Sequence, residues 1–564
     1  MLSTYKHHPE KATETLRPIA ESGHDPDALL AMAEMTFHIG KRHEILQPGE
    51  AMVWYRDSAA YASFCLQQGE SVDTVLAEEV HDVAVAHLIR IATRPIPMRD
   101  PWSSQLARVG IMPRSPVLFL SPERVDNIHL ASDLFVRGMN VYHKRPGFGV
   151  PIVASRRVDK DAPLDVQDTL YPRELELPAT VVIRPEGPLA GGAWRSLPVW
   201  FEVHDSYNEA QVTLGAQSLP LAADFSTPIA YAANRSEVRN LGIIGTVNPV
   251  KAIELAGVIM PRPYEPGKIP VVFIHGLASE PSTWLAAYND LIGDPEIRKR
   301  YQLWSVRYPS GEPLLASALT IRKSIRETYA KLDPSGADPA LKGMIVVGHS
   351  MGGIMAKLLV TNSGDAFWNA TFTRPFTEVN APGEMRTLLA DHYFMSAEPY
   401  ITRIVFIASP HRGSRMATAL PGRLSSSLVR ADDQFTKGRK AFIELNGIET
   451  VQSYFRGSML NGVSGLSPDN PNLKANGSLP IPRGIPYHNI IAVLNHGSDV
   501  PLDRINDGVV YYTSAHLDGA QSEMFVRSWH GCLDKPETAK EVARILRQHL
   551  AELDAKGGAT RISP

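Results

Sequence analysis

The stretch "MIVVGHSMGG" (Met344–Gly353) decides the fold of the C-terminal half of the chain. Its apolar first half is typical of a buried strand, and "GGIMAKLLV" at its end is typical of a helix. Ser350 therefore lies at a sharp strand-to-helix junction, where side chains at positions 348 and 352 would clash with the turn. Glycine at both positions makes Ser350 a candidate nucleophile. The first amides of the helix point at this serine and would stabilise an oxyanion there.

Apolar strands alternate with helical segments on both sides of this stretch. The alternation begins at "VVFIHG" (271–276) and ends with the helical pattern "PETAKEVARILRQHL" (536–550). Strands that are apolar throughout are buried on both faces, so the pattern predicts a doubly wound, mostly parallel sheet covered by helices. The predicted fold class of this part of the chain is therefore α/β.

Two further units are predicted upstream. From Asp27 to about Arg94 apolar residues recur at helical spacing, which predicts three packed helices in a helical N-terminal segment assigned to residues 1–110. Residues 111–245 contain short β-like runs between Pro and Gly, such as "DLFVRGMNVYH" (133–143) and "GVPIVAS" (149–155), which predict an accessory β-rich domain. The catalytic domain is then assigned to residues 246–564.

Segments of irregular composition interrupt or precede the predicted sheet. The proline-rich "MPRPYEPGKIP" (260–270) is predicted to be a linker. Two insertions, about 361–400 and 415–487, fall between predicted strands and are predicted to form a cap. Aromatic residues in the first insertion, such as Phe367 and Trp368, either line an acyl-chain site or form a small core of their own.

The composition excludes several classes of function. Lys and Arg total 57 against 60 Asp and Glu, a net charge of -3, so no global field favours nucleic acid as a partner. No apolar stretch reaches the ~18 residues of a membrane span, and the N-terminus has no signal-peptide core. The sequence as written predicts a cytoplasmic protein, or an exported or membrane-associated one if a leader has been removed. The histidines and cysteines show no zinc-ligand spacing, so we expect no metal and no cofactor.

A second motif supplies what a serine nucleophile requires. "HGLAS" (275–279) follows the first predicted strand of the sheet. Acyl transfer needs two backbone donors for the oxyanion, one from the residue after the nucleophile and one from this earlier loop. The predicted oxyanion hole is therefore formed by the amides of Met351 and Leu277. His275 precedes the serine and adjoins Gly276, so we interpret it as part of the loop scaffold rather than as a base.

Over residues 264–553 these motifs resemble the α/β-hydrolase superfamily, and more narrowly the bacterial triacylglycerol lipases and esterases. The motifs that carry the resemblance come in the family's order: "HGLAS", "GHSMGG" (348–353), "IASPHRGS" (407–414), "NDGVV" (506–510) and a histidine before the last helix. The resemblance implies the α/β-hydrolase fold and a catalytic triad. Asp507 matches the family's Asn-Asp-Gly acid and His530 its late histidine, so the implied triad is Ser350, His530 and Asp507.

Other acids and histidines in these regions are alternatives to the triad members. Asp499 and Asp503 share the loop of the predicted acid, and His516 follows it in the chain. We assign a local structural role to each of them. His411 lies in the scaffold turn "SPHRGS", and His349 lies inside the elbow, where it is expected to pack or hydrogen-bond rather than transfer protons.

The sequence departs from the resembled group at one position. Several lipases of that group hold a calcium ion partly through an aspartate two residues after the catalytic histidine, and this chain has Cys532 there. A thiol is a poor ligand for a cation that prefers oxygen. We therefore expect no such calcium site.

The resemblance implies a serine hydrolase that cleaves carboxylic esters through an acyl-enzyme, with an ester or lipid as substrate and contact with a membrane surface as an option. The same fold also hosts acyltransferases and phospholipases, which are alternatives. A third alternative is a non-enzymatic surface or assembly protein that carries the hydrolase as a passenger domain. No oligomeric state is predicted.

Overall fold

The structure is a computed structural model that describes residues 8–22, 25–68, 73–94, 101–159, 161, 163, 165–187, 189, 198–234, 256–415, 433–457, 461–494 and 500–555. The chain divides into two compact units. They consist of Met1–Asp159 with Arg173–Ala232, and of Lys160–Pro172 with Ala233–Pro564. The division at residues 110 and 245 stays a prediction, because a grouping by contacts does not define which segments fold independently.

The first unit combines helices with an antiparallel-rich sheet. Its helices are α1 (Pro9–Ala20), α2 (Pro26–His43), α3 (Pro48–Gln67), α4 (Thr74–Ala92), α5 (Trp102–Arg108) and α6 (Ser226–Asn234). Its strands are β1 (Ile111–Arg114), β2 (Asn127–Leu130), β3 (Lys144–Arg145), β4 (Val150–Arg157), β5 (Glu174–Pro185), β6 (Val199–His204), β7 (Gln211–Leu214), β8 (Gln217–Pro220) and β9 (Ala223–Asp224). Five of these strands form one sheet in the order β1-β6-β5-β4-β2.

Helix α2 begins at a capping residue, and α3 packs into the hydrophobic core of the unit. The Asp25 side chain accepts a hydrogen bond from the Ala28 amide at 3.0 Å, which caps the start of α2. Tyr61 on α3 is fully buried in a cluster that also contains Phe148 and Val182. Helices and sheet strands of the first unit therefore share one hydrophobic core.

Two predicted strands of this unit do not form, and the run "SPVLFLS" (115–121) contains a short 3-10 helix instead. Residues 133–143, the run "DLFVRGMNVYH", contain no strand, whereas "GVPIVAS" lies almost entirely in β4. Phe135 is 74% exposed and Tyr142 is 52% exposed. These apolar side chains are not buried against a sheet, so local β propensity alone was misleading here.

The second unit contains the predicted α/β sheet. Its helices are α7 (Leu285–Ile292), α8 (Pro295–Arg300), α9 (Leu314–Leu332), α10 (Met351–Leu359), α11 (Ala366–Thr371), α12 (Gly383–Tyr393), α13 (Asp433–Asn446), α14 (Ser453–Arg456), α15 (Gly462–Gly465), α16 (Pro471–Ser478), α17 (Tyr512–Ala515) and α18 (Pro536–Ala555). Its strands are β10 (Gly257–Ile259), β11 (Ile269–Ile274), β12 (Tyr301–Arg307), β13 (Met344–His349), β14 (Ile401–Ile407), β15 (Tyr487–Val493) and β16 (Ser522–Arg527).

These seven strands form a single sheet in the order β10-β12-β11-β13-β14-β15-β16. The edge strand β10 is antiparallel to β12, and the other pairs are parallel. Every residue of β11 and β13 is buried, as expected for central strands covered on both faces. The carboxyl ends of parallel strands meet at one edge, where sites of α/β sheets are built.

The proline-rich stretch 260–270 is part of the second unit, so its prediction as a linker is wrong. Strand β10 directly before it already pairs with β12. The Met260 amide donates to the carbonyl of Leu170 at 2.9 Å, and the Gly267 amide donates to the Asp338 carboxylate at 3.0 Å. Tyr264 also donates to Asp338 and is buried. These tertiary contacts, rather than proline content, decide where the chain enters the unit.

The two insertions pack on each other and are together called the cap below, although their predicted place over the site stays a prediction. Phe372 of the first insertion forms an antiparallel bridge with Val451 of the second. Trp368 and Phe372 are buried in one cluster with Phe442 and Phe455. The aromatic residues of the first insertion therefore form a core of the cap. Residues 416–432 and 458–460 of the second insertion lie outside the described residues.

Candidate active site

The elbow around Ser350 has the predicted strand-to-helix geometry. Strand β13 ends at His349, α10 begins at Met351, and Ser350 between them has φ 55° and ψ -124°. A Cβ atom added at Gly352 would lie 2.1 Å from the carbonyl oxygen of Ile274, and one at Gly348 would lie 2.4 Å from the carbonyl oxygen of Gly352. Only glycine fits at these two positions, because backbone segments approach each other there without room for a side chain.

The three residues of the implied triad are joined by hydrogen bonds. The Nε2 atom of His530 lies 2.8 Å from Ser350 Oγ, and its Nδ1 atom lies 2.7 Å from Asp507 Oδ2. An ionised carboxylate only accepts hydrogen bonds, so Nδ1 carries the proton and Nε2 is free to accept the serine proton. The structure thus brings Ser350, His530 and Asp507 together in the order that a nucleophile, a base and an orienting acid require.

The carboxylate of Asp507 is fixed by more than the histidine. Its Oδ1 atom accepts hydrogen bonds from the amides of Val509 at 2.8 Å and Val510 at 2.7 Å. The Asp507 carbonyl also accepts from the His530 amide at 3.0 Å, and Asp507 is only 1% exposed. Gly508 has φ 88°, a left-handed conformation that suits glycine and closes this tight turn. The Asn-Asp-Gly motif therefore encodes both the turn and the orientation of the acid.

The elements that carry these residues explain why they meet. Ser350 follows β13, the acid loop follows β15 and His530 follows β16, so all three lie at the carboxyl edge of the parallel sheet. Asp503 lies in a short 3-10 helix and is exposed, so it is not part of this arrangement. Asp499 lies outside the described residues.

His516, the rival base, is held by other acids. Its Nδ1 atom lies 2.6 Å from Glu523 Oε2 and its Nε2 atom lies 3.0 Å from Asp518 Oδ1. Burial alone would lower the pKa of His516, but the two carboxylates raise it above its usual value. Both ring nitrogens are thus engaged in a surface cluster, which fits the predicted structural role.

The other histidines near the elbow are buried and held neutral. His349 donates from Nε2 to the carbonyl of His530 at 3.0 Å, and burial together with the nearby His530 lowers the pKa of His349 to about 3. Burial lowers the pKa of His275 to about 4 and that of His411 well below its usual value. His275 donates from Nδ1 to the carbonyl of Gly276 at 2.9 Å. None of these three geometries places a ring nitrogen on the Ser350 hydroxyl.

The loop and the helix that carry the predicted oxyanion donors both adjoin the serine. Met351 is the first residue of α10, so its amide has no acceptor within the helix. A Cβ atom added at Gly276 would lie 3.0 Å from Ser350 Cβ, which places the loop before Leu277 directly against the nucleophile. The assignment of Leu277 and Met351 as oxyanion donors stays a prediction.

Cys532, two residues after His530, is fully buried. Burial, with a smaller effect from Asp507, raises the pKa of the Cys532 thiol to about 12, so the sulfur is protonated at neutral pH. Within the described part of the chain, no three His, Cys, Asp or Glu side chains are grouped to hold a metal ion. The expectation of no calcium stays a prediction. None of the described helices is long and apolar enough to cross a membrane.

The loop with the motif "SPHRGS" (409–414) makes hydrogen bonds to the acid loop and to the residues after it, which the sequence alone did not show. Ser414 Oγ donates to the carbonyl of Val509 in the acid turn. Arg412 Nη1 donates to the carbonyls of Thr513 at 2.8 Å and His516 at 2.6 Å. This loop therefore supports the backbone of the acid loop. The motif shows where this loop lies in the sequence. It does not indicate that the loop contacts a segment about a hundred residues later in the chain.

No protein-family model and no curated protein matches this sequence. Solved structures similar to the chain include a Bacillus licheniformis lipase in its mature form (18% identity, 50% of this chain, 93% of that chain, TM-score 0.29). They also include EstA from Clostridium botulinum (13% identity, 49% of this chain, 85% of that chain, TM-score 0.29) and esterase B from Lactobacillus rhamnosis (15%, 53%, 82%, TM-score 0.27). The assignment of the fold rests on the strand order of the sheet and on the elbow at Ser350. Each of these matches covers about half of this chain.

Proposed function

We propose that the chain is a serine hydrolase that cleaves carboxylic esters through an acyl-enzyme. The observation that carries the proposal is the unbroken series of hydrogen bonds from Ser350 through His530 to Asp507. A serine hydroxyl is a weak nucleophile on its own and becomes effective when an oriented base accepts its proton. The positive φ of Ser350 supports the same assignment, because backbone strain of this kind concentrates at functional sites.

In the proposed reaction, Ser350 Oγ attacks the ester carbonyl while His530 Nε2 takes the serine proton. The negative charge moves to the carbonyl oxygen, where the amides of Met351 and Leu277 receive it. Asp507 stabilises the imidazolium that forms. The tetrahedral intermediate then expels the alcohol, which leaves with the proton from His530. Water attacks the acyl-enzyme with His530 as base again and releases the carboxylic acid.

The choice of an ester as acyl donor follows from the motifs that resemble lipases and esterases. The exposed Trp529, beside the base, and Leu494, which follows β15, supply apolar surface at the same sheet edge. Trp529 is 63% exposed and Leu494 is 50% exposed. An apolar rim of this kind suits the hydrocarbon part of an ester.

A product-partition experiment tests the acyl-enzyme. The chain is incubated with p-nitrophenyl butyrate or with phenyl butyrate in buffer that contains methanol, and methyl butyrate and butyric acid are quantified. We expect the same ratio of the two products from both substrates, because water and methanol would compete for one common acyl-enzyme. A ratio that changes with the leaving group would contradict a common intermediate. Absence of both products would contradict the ester-hydrolase proposal itself.

A further inference from the structure

The loop that carries Leu277 is anchored on both sides by one neighbouring segment. The Tyr308 hydroxyl donates to the carbonyl of His275 at 2.8 Å, and the Ser310 hydroxyl accepts from the amide of Ala278 at 3.1 Å. Tyr308 and Ser310 both lie between β12 and α9 and are buried, with exposures of 3% and 7%. Leu277 lies between the two anchored residues, so these bonds restrict the peptide groups around it.

The Tyr308 anchor is independent of pH over the working range of a hydrolase. Its ring stacks on the His275 ring with centroids 4.5 Å apart. Burial raises the pKa of Tyr308, so its hydroxyl keeps the proton that it donates. Burial lowers the pKa of His275 to about 4, so its ring is neutral and does not repel or attract charge at the oxyanion.

The Ser310 anchor acts on a strained residue. Ala278 has φ 53°, a left-handed backbone conformation that residues other than glycine rarely adopt. Such a conformation persists only when surrounding contacts hold it. The hydrogen bond from the Ala278 amide to Ser310 is one of these contacts, and it acts on the residue directly after Leu277.

The cap contacts the same two segments through α15. The Gly462 amide donates to the carbonyl of Gly311 at 2.7 Å. A Cβ atom added at Gly462 would lie 2.1 Å from the Ser310 carbonyl oxygen and 2.9 Å from Leu277 Cδ1. The cap therefore approaches Ser310 and the side chain of Leu277 so closely that only glycine fits at position 462.

We infer that Tyr308 and Ser310 are positioning residues that fix the Leu277 amide in the oxyanion hole, and that the α15 turn of the cap supports them. The inference rests on the proposed function, because it takes this amide as an oxyanion donor. An oxyanion hole accelerates acyl transfer only if its donors already point at the developing charge, without reorganisation during the reaction. Hydrogen bonds on both sides of the donor residue provide that rigidity.

The test compares Ser310→Ala and Tyr308→Phe with the wild-type chain in ester hydrolysis. We expect kcat to fall by about tenfold or more while KM stays within about twofold, since the anchors act on the transition state rather than on ground-state binding. Affinity for an alkyl boronic acid should fall by a similar factor, because its adduct with Ser350 is a tetrahedral anion. A merely structural role would lower the thermal unfolding temperature without changing boronic-acid affinity.

Glycine variants provide a matched test of the cap contact. Gly462→Ala is expected to lower kcat and boronic-acid affinity in the same direction, because the added Cβ must displace Ser310 or Leu277. Gly484→Ala is the control, since a Cβ there has no neighbour within 4 Å. We expect this control to keep the wild-type kcat within about twofold.

Two results separate failure of this inference from failure of the proposed function. If the wild type hydrolyses esters and binds the boronic acid, but both anchor variants keep wild-type kcat and affinity, the inference alone is wrong. Should Ser310→Ala not fold, Tyr308→Phe decides, since it removes only one hydroxyl. If the wild type neither hydrolyses esters nor binds the boronic acid, the proposed function and the inference both fail.

Discussion

Ser350→Ala is expected to lower kcat for p-nitrophenyl ester hydrolysis by about 10⁴- to 10⁶-fold, the loss typical of a triad nucleophile. The hydroxyl oxygen is the atom that would form the acyl bond, and it lies 2.8 Å from Nε2 of His530. The change removes one oxygen from a small side chain, so circular dichroism and the thermal unfolding temperature should stay close to wild type. Initial rates over a range of substrate concentrations give the required kcat.

A matched control is Ser335→Ala, which removes an exposed serine hydroxyl that bonds only Asp333 in the described structure. We expect this variant to keep the wild-type rate. Ser350→Ala with more than roughly a tenth of wild-type activity would remove Ser350 from the mechanism, whatever the geometry of the elbow.

His530→Ala is expected to lose activity as completely as Ser350→Ala, because the nucleophile and its base act as one unit. Asp507→Asn should lose somewhat less, since the amide can still contact the imidazole but disfavours the tautomer that accepts the serine proton. The measurement is again kcat for a p-nitrophenyl ester, with unfolding temperatures recorded for each variant. The expected order follows directly from the bonds of His530 to Ser350 and Asp507.

His516→Ala is the matched histidine control for this series. Its ring is bound by Glu523 and Asp518, and neither carboxylate is a triad member. We expect its activity to fall by less than about tenfold. If His516→Ala is inactive and His530→Ala stays active, the triad assignment is wrong. The proposal of a serine hydrolase would still stand in that case.

The parts of the site that the sequence predicted are those with strong local requirements. The elbow needs glycine at 348 and 352, because a Cβ at either position would meet the backbone within 2.4 Å or less. The acid turn needs a residue that tolerates φ 88° at Gly508. Such constraints require particular residue types within a few consecutive positions. A sequence pattern therefore identifies them without knowledge of the tertiary structure.

Features that depend on distant partners were not predictable in the same way. Tyr308 and Ser310 follow an ordinary strand, and only their contacts with residues 275 and 278 give them a proposed role. The edge strand β10 is three residues long and is defined by its pairing with β12. Residues 133–143 have β propensity but no strand. In each case the local sequence pattern alone did not decide the structure or the proposed role of these residues.

Helix α1 shows the same limit on the N-terminal side. Its buried residues include Ala12, Leu16 and Ala20, which lie on one face. A helix of this length gains most of its stability from packing of that face rather than from its own propensity. Apolar residues at clear helical spacing begin only at Asp27, so the sequence did not predict a separate helix at Pro9–Ala20.

Covalent labelling tests the claim that His530 makes Ser350 the reactive nucleophile. The wild-type chain, Ser350→Ala and His530→Ala are incubated with an alkyl fluorophosphonate, digested, and analysed by peptide mass spectrometry. We predict that the phosphonyl group attaches to Ser350 in the wild type, at a rate reduced by several orders of magnitude in His530→Ala and with no labelled site in Ser350→Ala. Label on a different serine, or an unlabelled wild type that still hydrolyses esters, would contradict the claim.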